Sequence, residues 1–157
     1  MTTTKSDFSE EEWESLIAAP WIAGALIIGV DFHLLGSPGE ITAMAESAGS
    51  SEATGEARSL VTEMIADMNP QTGDDDSHER DNEEWHAELL MLLSNVASIV
   101  DRACTVGEAG GYKRWVLNTA NATAEASTEG RFLGIGGERV SDKERAALDE
   151  IETALKL

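Results

Sequence analysis

The chain of 157 residues carries 30 acidic side chains against 11 basic ones, a formal net charge of −19, with 41% apolar residues and one cysteine. Such a balance excludes direct nucleic-acid binding, which needs a basic stripe against the phosphates. The lone Cys104 excludes an intramolecular disulfide and any multi-cysteine metal site.

Only four lysines are present: Lys5, Lys113, Lys143 and Lys156. Self-repulsion among so many carboxylates is screened only beyond about 8 Å in ordinary salt, but beyond about 3 Å at 1 M. The composition therefore predicts a halophilic chain from an archaeal, salt-rich cytosol. The polar, acidic start from Ser6 to Glu14 is unlike a signal peptide. The longest uncharged apolar run, Leu16 to Val30, contains Pro20 and falls short of the roughly 20 residues that span a bilayer. A cytoplasmic chain with no membrane partner is expected.

In chain order, the helix starts stand out. Ser9 and Glu12 form a capping box, with Phe8 placed to staple onto Trp13. Trp21 to Val30 is apolar all round, as in a helix surrounded by others. Ser37 and Glu40 form a second box with Pro38 at the first helical position. Ala57, Val61, Met64 and Met68 mark a seam that Leu60 and Ile65 widen. Residues 69–80, with Asn69-Pro70, Gly73 and three consecutive aspartates, read as an exposed acidic loop. Asp81 with Glu84 resembles a box and opens a helix over 81–104, expected near the centre of the fold. Its seam is Trp85, Leu89, Leu92, Val96, Ile99 and Ala103. Thr105 and Glu108 cap the next helix, along which Tyr112, Trp115, Val116, Ala120 and Ala124 form a seam. Residues 129–140 are a glycine-rich connector whose Phe132, Leu133 and Ile135 are expected to fold back onto the 111–128 helix and the Ser141 helix, the alternative being an exposed partner-binding patch. Ser141 and Glu144 cap the last helix, with Leu148, Ile151 and Leu155 inward. Together these predict a single all-α domain over 1–157, a compact bundle of about six helices.

Candidates for chemistry are few. Asp31 is the only charged side chain between Glu14 and Glu40, and it follows the most apolar stretch. It needs a partner or a raised pKa. With His33 it could form a small-molecule or divalent-cation site at a helix end, or simply cap the next turn. Glu83 and His86 have the Glu-x-x-His spacing of carboxylate-bridged dimetal bundles, but no second such motif exists in the chain. Asp74, Asp75 and Asp76 with His78 and Glu79 lack the spacing of an EF-hand. Gly134, Gly136 and Gly137 match neither phosphate-binding glycine pattern. Cys104, ending an amphipathic segment, reads as a buried structural thiol. No catalytic residue, cofactor or metal set is expected; Asp31, His33, Glu83 and His86 come nearest to ligands.

The opening FSEEEWESLIAAPWIAGALIIG and the tail EGRFLGIGGERVSDKERAALDEI resemble the two ends of a group of small all-helical prokaryotic proteins. In that group an alanine-rich helix leads into a similar glycine-rich turn. The resemblance implies an all-α fold, with this chain as a haloarchaeal member, and carries over no catalytic residue. A likeness to tellurite-resistance-type helical domains rests on helix pattern alone. Charge is uneven: residues 1–105 are net −17 and residues 106–157 net −2. The expected role is structural or protein-interacting, through self-association along one of the narrow seams or contact with a basic protein. The alternative is the ligand-dependent activity near Asp31 and His33.

Overall fold

The computed structural model describes residues 2–30, 38–49, 52–68, 82–129 and 142–157. Among them are six α-helices and no strand: α1 (Glu10–Val30), α2 (Pro38–Gly49), α3 (Arg58–Asp67), α4 (Asn82–Ala103), α5 (Val106–Glu129) and α6 (Asp142–Ala154). Short 3₁₀ turns at Lys5–Asp7 and Glu52–Ala57 precede α1 and α3. The all-α expectation holds. The acidic loop over 69–80 lies outside the described residues, as do the connector's apolar side chains.

Local chemistry sets the starts. At α1 the Glu12 N–H donates to Ser9 Oγ at 3.2 Å, and the Ser9 N–H donates to Glu12 Oε2 at 3.0 Å. Thr105 and Glu108 repeat this reciprocal box at α5, with 3.0 and 3.2 Å bonds. Phe8 meets Trp13 with ring centroids 5.8 Å apart, as a hydrophobic staple requires. Pro38 opens α2, where its missing N–H costs no helical bond.

The helix at the centre is α5, which packs against all five others and against the Glu52–Ala57 turn. The expectation that 81–104 would hold that place is corrected. α5 reaches so many neighbours because small residues punctuate it. A Cβ on Gly111 would lie 2.1 Å from the Thr54 carbonyl oxygen and 2.8 Å from Ala57 Cβ, so this contact is available only to glycine. Tyr112, Trp115, Val116, Ala120 and Ala124 are fully buried, as their spacing predicts. So are Ala57, Leu60, Val61 and Met64.

The α4 seam needs a correction too. Leu92 is 47% exposed, whereas Leu93 is fully buried with Val96, Ala97 and Val100. The sequence offers two apolar stripes in Leu89–Val100, and α1, α5 and α6 together cover only the one through Leu93.

One proline is absorbed by a distant side chain. α1 runs unbroken through Pro20, which has no N–H to give the Leu16 carbonyl. The buried Tyr112 hydroxyl donates to that carbonyl instead, at 2.9 Å. Two indoles likewise tie α2 down: Trp115 Nε1 donates to the Ala45 carbonyl at 2.8 Å and Trp21 Nε1 to Thr42 Oγ1 at 3.1 Å.

Candidate functional site

Buried carboxylates lie on two helices, Glu144 on α6 and Glu108 on α5, the latter where α5 meets the end of α4 and the N-terminal arm. Glu108, in the first turn of α5, accepts from the Thr3 N–H at 2.8 Å, from Thr3 Oγ1 at 2.7 Å and from the Thr105 N–H at 3.0 Å. Burial alone would raise its pKa, but these bonds to Thr3 and Thr105 outweigh burial and hold the carboxyl below its ordinary value. The carboxylate thus serves twice, capping its own helix and clamping the N-terminal arm. Sequence reasoning found the cap and missed the clamp, because Thr3 is 105 residues away.

Cys104 lies beside this clamp and is half-buried rather than fully so. Burial pushes its thiol up to about 11, the Thr3 hydrogen bond opposing, with Glu108, Asp7 and Asp101 adding to the rise. A thiol so shifted is a poor nucleophile at neutral pH, which agrees with a structural role. Burial also drives the Tyr112 hydroxyl well above its usual range. The buried Lys113 ammonium donates to Asp101 Oδ1 at 2.7 Å, joining α5 to the end of α4.

A groove of about 490 Å³ at the start of α1 is lined by Lys5, Phe8, Trp13 and Ile17 and by the acids Glu10, Glu14 and Asp67. Asp67 Oδ2 accepts from Lys5 Nζ at 2.6 Å and from Trp13 Nε1 at 2.9 Å. Those two donors, with Lys5 foremost, lower the carboxyl's pKa. The Lys5 ammonium also stands 5.6 Å from the Trp13 ring centroid, a cation–π contact. The chain's own lysine therefore already pairs with one of the groove's carboxylates.

Of the four candidate ligands, Glu83 and His86 lie among the described residues. His86 Nε2 is 2.5 Å from Glu150 Oε2 of α6, so His86 ties α4 to α6. Glu83, one turn earlier, is exposed. Among the described residues no three His, Cys, Asp or Glu side chains come together in a set that could hold a metal ion. Asp31 and His33 lie outside the described residues, as do Asp74, Asp75, Asp76, His78 and Glu79 and the glycines of the connector. Of the helices described, none is long and apolar enough to cross a membrane.

The outer surface of α4 is the other candidate. Twelve consecutive residues, Leu89 to Val100, carry no charge in a chain that is 26% charged. Among them Met91 is 73% and Leu92 47% exposed, and Asn95 and Ser98 are exposed too. With Leu93 turned to the core, helical geometry places Glu84, Glu88, Met91, Asn95, Ser98 and Arg102 along the outermost line. Their 4-3-4-3-4 spacing is that of a helix–helix seam. No family model, curated protein or solved structure matches this chain.

Proposed function

We propose that this chain is a non-catalytic, self-associating helical protein suited to concentrated salt, and that copies meet through the outer face of α4. One observation carries the reading: an uncharged, partly apolar strip lies exposed on a molecule whose net charge is −19. Two such molecules repel wherever acidic surfaces approach, so a stable contact requires a strip where charges of one sign are absent. Exposed Met91 and Leu92 supply the apolar contact there. Three buried ionisable groups support the non-catalytic part, since Glu108, Lys113 and Tyr112 are each held by a structural partner. The halophilic part rests on the acid excess and on the scarcity of lysine.

Sedimentation velocity over a concentration series in about 1 M KCl tests it, the Debye length there being roughly 3 Å. The native chain should show a concentration-dependent shift toward a dimer. Replacing both Met91 and Leu92 with Glu should abolish the shift with helicity unchanged, because both side chains are exposed. A native chain that stays monomeric throughout would sink the proposal.

A further inference from the structure

Resting on that reading, we infer that two copies pair antiparallel along α4, because the strip is electrically self-complementary only in that direction. The acids Glu84 and Glu88 stand at its N-terminal end, and Arg102 stands at its C-terminal end with a 61% exposed side chain. A second cation joins Arg102 there. Lys156, beyond the end of α6, extends its ammonium across to Ser98 Oγ at 2.9 Å. Two of only eleven basic residues thus sit at one end of a strip whose other end is acidic.

The seam's symmetry fixes the register. A two-fold axis beside Leu93 brings Met91 opposite Asn95 of a second copy, Glu88 opposite Ser98, and Glu84 opposite Arg102. Each position of the 4-3-4-3-4 line meets another position of the same line, so no residue falls out of step. Lys156, seated on Ser98, then lies against the second copy's Glu88. Both ends carry the same two charge pairings, and the uncharged middle makes the apolar contact. Parallel pairing would set Glu84 against Glu84 and Arg102 against Arg102, which like-charge repulsion disfavours. A single pair of helices about 33 Å long gives a small contact, so the association belongs with weak, transient ones.

The test uses two single charge reversals in the full chain, Glu84→Arg and Arg102→Glu, followed by sedimentation at the lowest KCl concentration at which the native chain still dimerises, where exposed charge pairs are least screened. Each reversal turns both end pairings repulsive and should weaken self-association roughly tenfold. An equimolar mixture of the two variants should recover it as a heterodimer, because every end pairing is then opposite in sign. The doubly reversed chain, Glu84→Arg with Arg102→Glu, should recover it as a homodimer. Arg102 also binds Glu12, so each variant's helicity is checked by circular dichroism. Weakening by each single reversal together with recovery in the doubly reversed chain identifies the register, because a parallel pair would keep the same number of like-charge contacts in all three variants. A native dimer indifferent to both reversals overturns the antiparallel register and leaves self-association standing. A native chain that never dimerises overturns both.

Discussion

Replacing Tyr112 with Phe removes one oxygen and leaves the ring in place, packed edge-on to Trp115 with centroids 5.7 Å apart. The oxygen's role is to donate to the Leu16 carbonyl at 2.9 Å, deep inside the bundle where Leu16 is fully buried. That carbonyl has no helical donor because residue 20 is proline. A buried acceptor left without a donor costs roughly 1–3 kcal/mol, so Tyr112→Phe should destabilise by about 2 kcal/mol. Changing Pro20 to Ala restores the N–H that a helix directs at Leu16, four residues earlier. In that background Tyr112→Phe should cost about 1 kcal/mol less, the difference being the coupling energy of the cycle. Urea unfolding followed by circular dichroism, at about 1 M KCl to screen the surface charge, measures all four corners. An equal cost of Tyr112→Phe in both backgrounds would refute the idea that the hydroxyl stands in for the missing N–H.

Gly111→Ala should destabilise by about 2 kcal/mol or more, despite the better helix propensity of alanine, since its Cβ meets the Thr54 carbonyl oxygen at 2.1 Å; chemical denaturation measures the loss. Glu108 is held below its ordinary carboxyl value in the fold, so its stabilisation is complete above that value and disappears as pH falls through the folded pKa. Glu108→Gln should therefore lower stability at neutral pH by about 2 kcal/mol and flatten the acid limb of a stability–pH curve. Cys104 titrates near 11 instead of 9.0, so its stabilisation is present below 9.0 and lost as pH climbs to about 11. In the folded protein at about pH 8 its thiolate fraction is roughly a hundredfold below that of a free thiol, and iodoacetamide labelling should slow in proportion and recover in urea. The melting temperature should climb steeply between roughly 0.1 and 1 M KCl as screening tightens, and a flat profile would show that the carboxylates are locally paired.

Helix starts and inward stripes were legible in the residues alone because the interactions that make them are local. Ser9 with Glu12 and Thr105 with Glu108 are three residues apart, and their boxes form wherever the chain turns helical. The stripes of α3 and α5 were legible for the same reason, since each helix has one apolar face. On α4 the sequence held two apolar stripes, and only packing against α1, α5 and α6 decided that Leu93 goes inward and Leu92 outward. The same packing leaves the uncharged strip in solvent. It also chose partners that no spacing encodes: Thr3 for Glu108, Tyr112 for Leu16, and Glu150 for His86. These bonds join residues 64 to 105 positions apart. Local chemistry writes the helices of this protein into its sequence, whereas the burial of a particular face, and with it each long-range bond and the exposed surface, exists only once the helices have met.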